Sequence, residues 1–266
     1  MATSNAGSGA RERYLQLVRR WRRRALGRLY LLVVLLMPVL VAGEVLARHF
    51  WVWFLGGATG GLLALFVCER DNAPARIAKW ESGYIGERKT AKELAPLRRR
   101  GCAILHDLAD RRTSVSSKGN VDHVLVAPWG VFLLDSKLYA GSIRVEGDVV
   151  HVQDLDDESE GYAIQHLARG MRGKAARLRE DIRDATGEHE RIEAVVVFWS
   201  PFEARSVTFS GVHYVHGGHL REWIEARRAA GGRRSSCDVD TIVEGIRQAR
   251  PSESRPRRWV PRLRRA

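Results

Sequence analysis

The stretch NVDHVLVAPWGVFLLDSKLYAG, residues 120–141, constrains the fold of this chain more than any other. Two runs with alternating apolar residues flank a central A-P-W-G, whose proline and glycine are typical of a turn. The pattern predicts two antiparallel strands joined by a tight turn. With the turn centred between Pro128 and Trp129, positions equidistant from it face each other, which pairs Val126 with Val131.

Three charged residues lie inside this predicted hairpin, where burying a charge without a partner is costly. The same register places Asp122 opposite Asp135, with their Cβ atoms roughly 5 Å apart. Side chains alternate along a strand, so Lys137 shares the face of Asp135. Two carboxylates that close either share a proton or bind a cation. A register slip of one residue would separate these side chains.

The remainder of residues 75–249 alternates between helical and strand patterns, which predicts an α/β fold. Glu87 lies four residues before Ala91 and falls on the inward face of a predicted helix, where a carboxylate is unusual without a partner. Gln165 lies beside the apolar stripe of another predicted helix. Helices are predicted over residues 81–100, 161–182, 218–229 and 239–248, and further strands over residues 102–108, 141–145, 149–153, 192–200, 206–209 and 212–215.

The net charge of +13 is concentrated at the two ends of the chain. Residues 1–28 carry +7 and residues 250–266 carry +6, so residues 29–249 sum to zero. Basic segments beside a membrane typically contact anionic lipid headgroups, and direct contact with nucleic acid is the alternative. The three cysteines are widely spaced, which argues against a disulfide framework or a zinc knuckle.

Two apolar stretches, residues 29–47 and 50–68, approach the ~20 residues that span a bilayer. They predict a two-helix transmembrane hairpin. Arginines cluster before the first stretch, so we expect both termini and the following domain to be cytoplasmic. The GGATGG run at residues 56–61 has the spacing of small residues that lets membrane helices approach closely, either within the hairpin or in a homo-oligomer.

Several of these motifs together resemble the NERD family, the nuclease-related domains, which are similar to the PD-(D/E)XK nucleases. The resemblance covers residues 82–200 and is carried by GER at 86–88, the hairpin with the preceding glycine at 119–137, the YAG that follows, and the later helix with Gln165. Asp135 stands where the family commonly has glutamate. The resemblance implies a restriction-endonuclease-like mixed sheet flanked by helices, here preceded by the transmembrane hairpin.

The resemblance also implies roles for five residues. Asp122 and Asp135 would bind a metal ion, with Glu87 as an auxiliary ligand. Lys137 would orient or help deprotonate the attacking water, and Gln165 would position the site from a second helix. Oxygen ligands of this kind suit Mg²⁺ or Mn²⁺. The expected function is a membrane-anchored, metal-dependent nuclease that hydrolyses phosphodiester bonds of nucleic acid, with DNA favoured over RNA as its partner.

Two other interpretations of the same residues stay open. Asp122, Asp135 and Lys137 could form a buried salt-bridge cluster without turnover, although two acids with one lysine leave a charge unmatched. The chain could also be a non-catalytic membrane-anchored protein that binds nucleic acid or a partner through a nuclease-like fold, or one whose basic tails bind nucleic acid. The presence of both aspartates and the lysine favours the enzyme, whereas the zero net charge of residues 29–249 predicts no basic groove and weakens that interpretation.

Overall fold

The computed structural model describes residues 8–46, 56–62, 75–108, 120–155, 161–229 and 238–250. The chain divides into two compact units, with the boundary between Glu81 and Ser82. The first unit contains most of helix α1 (Ser8–Leu46), the helical residues 56–62 and the start of helix α2 (Ala75–Leu94). The second unit contains all the strands and the remaining helices.

The predicted transmembrane hairpin is wrong. Helix α1 begins at Ser8, so the arginine cluster at 19–24 and the apolar residues from position 29 onward belong to one helix, not to a basic segment and a separate span. Across the part of the chain that the structure describes, no helix is both long and apolar enough to cross a membrane. Of the second predicted span, all but residues 56–62 lies outside the described residues. The predicted membrane localisation with cytoplasmic termini depended on these spans and is corrected with them.

A six-stranded mixed sheet forms the centre of the second unit. The strands of this unit are Ala103–Leu108 (β1), Val121–Ala127 (β2), Gly130–Lys137 (β3), Ser142–Glu146 (β4), Val149–Gln153 (β5), Gly161–Ile164 (β6), Ile192–Phe198 (β7), Ser206–Phe209 (β8) and Val212–His216 (β9). The large sheet has the order β1-β2-β3-β7-β9-β8. Strand β7 runs parallel to β3 and β9, and the other neighbours are antiparallel.

Helices cover both faces of this sheet, which confirms the predicted mixed sheet with flanking helices. Helices α3 (Leu167–Thr186) and α5 (Val239–Ala249) pack on one face, and α4 (Leu220–Ala229) packs on the other together with the end of α2 and a 3₁₀ helix, Ala95–Arg100. The apolar run of β7 is buried on both faces, as its unbroken hydrophobicity predicts. Each fully buried leucine or valine in these cores contributes about 1.5–3 kcal/mol.

The predicted hairpin is confirmed in its register. Val126 pairs with Val131, and Ala127 pairs with Gly130, which leaves Pro128 and Trp129 as the two-residue loop. The alternation of the sequence therefore sets which side chains of β2 and β3 face the same core.

The predicted helix over residues 161–182 begins later than expected. Residues 161–164 form β6, which pairs with β5 in a second, three-stranded sheet of order β4-β5-β6. A Cβ atom at Gly161 would lie 2.8 Å from the carbonyl oxygen of Val152, so the glycine permits a close approach of the two strands. Gln165 is consequently an exposed residue between β6 and α3.

The last described residue of the second unit, Arg250, is 2% exposed. Its Nε donates a hydrogen bond to Oδ2 of Asp181 on α3. A buried ion pair of this kind is costly to break, because removal of one partner leaves the other charge buried. Arg250 therefore ties the end of α5 to α3.

A 3₁₀ helix, Gly217–His219, follows β9 and packs against an indole ring with no spare room. A Cβ atom at Gly217 would lie 2.5 Å from the ring of Trp199. We expect Gly217→Ala to lower the free energy of unfolding by about 1–3 kcal/mol, since overpacking forces neighbouring groups apart. Urea denaturation followed by circular dichroism measures this change.

The matched control for that substitution is Gly170→Ala in α3, where nothing lies within 4 Å of an added Cβ atom. Alanine in an exposed helical position should raise the stability by about 0.5–1 kcal/mol. A Gly217→Ala variant as stable as the wild type would contradict the close packing on Trp199.

Candidate active site

Two carboxylates lie at the open end of the hairpin. The observed register pairs His123 with Leu134, so Asp122 and Asp135 are the next residues along β2 and β3. Asp135 is 3% exposed, and Asp122 is half-buried. The backbone N–H of Ser136 donates a hydrogen bond to Oδ2 of Asp122 at 2.8 Å. The structure thus brings together the two aspartates that the turn geometry pairs.

Asp135 forms ion pairs with two lysines. The ammonium of Lys137 contacts Oδ2 of Asp135, and Nζ of Lys174 in α3 donates a hydrogen bond to Oδ1 at 2.8 Å. Burial alone would raise the pKa of Asp135, but the two ammonium groups hold that pKa well below its ordinary value. Burial likewise opposes the charge of Lys137, yet Asp135 and Asp122 raise the pKa of Lys137 above its ordinary value. Both ends of the Lys137–Asp135 pair therefore stay charged.

Glu87 approaches the site from α2, as its place on the inward helix face predicts. Burial, followed by the charges of Asp122 and Asp107, raises the pKa of Glu87 to about 9. Its Oε2 is buried and accepts no hydrogen bond from the described residues. Burial and the charge of Asp135 raise the pKa of Asp122 to about 6. The carboxylates thus repel one another in the absence of a compensating cation.

A short hydrogen-bond chain fixes α2 against β3. The hydroxyl groups of Ser136 and Thr90 are 2.8 Å apart, and the indole N–H of Trp199 donates to Thr90 Oγ1 at 2.8 Å. Thr90 is fully buried and lies three residues after Glu87. Because Ser136 directly follows Asp135, this chain connects the helix that carries Glu87 to the strand that carries Asp135.

Asp107 is a site residue that our sequence reasoning missed. Strand β1 pairs with β2 at His106 and Leu108, which places Asp107 opposite Asp122. Asp107 is 5% exposed and has a φ of 51°, a conformation that is strained for a residue other than glycine. The available signal was an acid inside the predicted apolar strand 102–108. Its charge acts on Glu87, so the acidic cluster extends over three adjacent strands and α2.

His123 points to the opposite face of β2 from Asp122, as strand alternation predicts. It is fully buried, and its Nδ1 lies 2.7 Å from Nδ1 of His106. Burial lowers the pKa of His123 to about 3 and that of His106 to about 4, so both rings are neutral near pH 7. This histidine pair is packed in the sheet, and the charge of Asp135 acts on His123 from the other face of the hairpin.

The second helix supplies a different residue from the predicted one. Gln165 lies before α3, and in the described parts of the chain no hydrogen bond joins it to Asp122, Asp135 or Lys137. Lys174, nine residues further along, makes the contact with Asp135 instead. The positioning role of Gln165 stays a prediction.

The donor chemistry of the cluster fits a divalent cation. Its oxygen ligands are those that Mg²⁺ and Mn²⁺ prefer, and Glu87 Oε2 is a buried acceptor without a donor. Four carboxylates face two lysines, so negative charge is in excess. Among the described residues, however, no three acidic, histidine or cysteine side chains already form a group that could hold a metal ion. A cation would therefore have to draw the carboxylates together.

One protein-family model matches this part of the chain. The family model described as NERD: Nuclease-related domain matches residues 82–199. No curated protein and no solved structure matches the chain. The matched residues include Glu87, the whole hairpin and α3, which are the elements that carry the acidic cluster and its lysines. The resemblance to the nuclease-related domains predicted from the sequence is confirmed over residues 82–199.

Proposed function

We propose that this chain is a metal-dependent nuclease that hydrolyses phosphodiester bonds in nucleic acid, with DNA as the expected substrate. The observation that carries the proposal is that Asp122 and Asp135 follow the last observed pair of the hairpin and lie beside Lys137, in residues that match a nuclease-related domain. A buried group of acids with excess negative charge stabilises a fold poorly, whereas it suits a site that takes up a cation.

The acidic residues would hold the cation. Asp122 and Asp135 are the proposed ligands and Glu87 is the auxiliary one, with Mg²⁺ or Mn²⁺ as the cofactor. When bound, such an ion activates water and stabilises negative charge on the phosphodiester. Glu87, whose pKa is raised to about 9, holds a proton near pH 7 without the cation. It would release that proton on becoming a ligand, as metal ligands generally do.

Lys137 would act as a cation rather than as a base. Its raised pKa keeps the ammonium protonated, so it donates hydrogen bonds and cannot remove a proton from water. Its side chain is 30% exposed, which leaves the ammonium accessible to a bound phosphodiester. We therefore assign Lys137 to orienting the attacking water and to stabilising charge that develops on the phosphate.

A second candidate function is nucleic-acid binding without cleavage. Two observations favour it: both oxygens of Asp135 already contact lysines, and residues 29–249 carry no net positive charge. Under this alternative the cluster is structural, and the basic ends of the chain supply the attraction for phosphates.

The purified full chain, incubated with double-stranded DNA and separately with single-stranded RNA, distinguishes these functions. We expect DNA cleavage with Mg²⁺ or Mn²⁺ and none with EDTA, because the carboxylates alone cannot activate water. Gel electrophoresis reports cleavage, and an electrophoretic mobility shift reports binding. Binding without cleavage at every metal concentration would favour the alternative, and cleavage that persists in EDTA would contradict the metal requirement.

A further inference from the structure

A second lysine, Lys174, reaches the proposed site from α3. Its Nζ lies 2.8 Å from Oδ1 of Asp135, while Lys137 contacts Oδ2 of the same carboxylate. The side chain of Lys174 is 18% exposed and that of Asp135 is 5% exposed. The contact therefore lies at the inner side of the cluster, further from solvent than Lys137.

The packing of α3 on the sheet fixes the backbone position of Lys174. Met171, Ala175 and Leu178 lie on the buried face of α3 and belong to the core on one side of the large sheet. Lys174 directly precedes Ala175, so its Cα is held close to the sheet. From this position the ammonium of Lys174 contacts Asp135 on β3.

One lysine would suffice to neutralise Asp135. A second ammonium on the same carboxylate must be desolvated and repels the first, and the nearby carboxylate of Asp122, on which Lys174 also acts, offsets part of this cost. A carboxylate has about four lone-pair positions, which leaves room for both lysines and a further partner. Lys174 holds Oδ1 from the protein side, and this contact fixes the orientation of the carboxylate plane.

We propose that Lys174 is a positioning residue of the hydrolytic site, and this inference rests on the proposed function. Lys174 fixes Asp135 through Oδ1, so that Oδ2 lies beside the ammonium of Lys137 and is the oxygen that would bind the cation. This contact supplies, from α3, the support that the sequence assigns to Gln165. Lys174 acts through Asp135 and makes no contact with the substrate.

The test compares Lys174→Met and Lys174→Arg in the full chain, with Arg179→Met as the matched control. Arg179 is an exposed cation on the same helix. We expect Lys174→Met to lower kcat about 10–100-fold and to weaken Mn²⁺ binding by a similar factor, as loss of a residue that orients a metal ligand does. KM should stay within about twofold, because substrate contacts are retained. Lys174→Arg should recover most of kcat, and Arg179→Met should match the wild type.

Steady-state kinetics and calorimetric titration of Mn²⁺ give these values, and circular dichroism checks folding. Should the methionine variant fail to fold, Lys174→Gln is measured in its place. An active wild type with an unchanged kcat in the variant overturns the role of Lys174 and leaves the proposed function intact. A raised KM at unchanged kcat overturns positioning in favour of direct phosphate contact. A wild type without metal-dependent cleavage overturns both.

Discussion

Asp135→Asn is expected to lower metal-dependent cleavage by about 10³-fold. The substitution removes a proposed carboxylate ligand and with it several kcal/mol of charge stabilisation, and about 4 kcal/mol corresponds to that factor. Asparagine has nearly the same shape, but it leaves the ammonium groups of Lys137 and Lys174 without their counter-charge. We therefore also expect a loss of stability, of about 3 kcal/mol. Nuclease assays at saturating Mg²⁺ and urea denaturation measure the two effects.

Asp135→Glu is the matched control for this prediction. It keeps the charge and the ion pairs with both lysines, and glutamate is the residue that the NERD family commonly has at this position. We expect the glutamate variant to fold and to retain metal-dependent cleavage. Equal residual activity in the asparagine variant and the wild type would indicate a contaminating nuclease and would contradict a catalytic role for this site.

Glu87→Gln is expected to stabilise the metal-free protein at alkaline pH. The pKa of Glu87 is raised to about 9, from an ordinary value of 4.5. Between these values the folded protein binds a proton that the unfolded chain releases, so the stability of the wild type falls as the pH rises. Glutamine carries no such proton. At pH 8 the variant should be more stable than the wild type by roughly 2–4 kcal/mol, and at pH 4.5 the two should differ little.

Urea denaturation in EDTA at both pH values tests this prediction. Glu93→Gln on the same helix is the control for replacing a glutamate with glutamine in α2. Addition of Mg²⁺ should stabilise the wild type more than the Glu87→Gln variant, since only the wild type has the proposed auxiliary ligand. A Glu87→Gln variant that is less stable than the wild type at pH 8 would show that the Glu87 carboxylate has a favourable partner there.

Local patterns were sufficient to predict the hairpin. The alternation of apolar residues and the P-W-G turn determine the register, so Asp122, Asp135 and Lys137 could be placed on one face from the sequence. Glu87 could likewise be assigned to the inward face of a helix, because the helical period of 3.6 residues can be read from residues that are close in the sequence.

Tertiary contacts determined what the sequence did not show. Lys174 lies far from Asp135 along the chain, and only the packing of α3 against the sheet brings the two together. Asp107 became part of the site through the pairing of β1 with β2. Likewise, residues 161–164 are a strand because they pair with β5, and four residues carry too weak a periodicity to distinguish a strand from the start of a helix.

The start of the first helix was not predicted from the sequence. The apolar run was treated as an element of its own, starting at residue 29. In the structure, α1 begins at Ser8 and includes the arginines before that run. The apolar run from residue 29 therefore did not predict the first residue of α1.

The burial of Arg250 changes the charge available at the end of the chain. Seven arginines lie between residue 250 and the last residue, but the first of them is bound to Asp181 inside the second unit. The six that remain, less Glu253, give residues 251–266 a charge of +5. If this segment binds a polyanion, its six arginines can neutralise at most six phosphates. The number of counterions released by this segment, and therefore its contribution to the salt dependence of the binding constant, has the same upper limit.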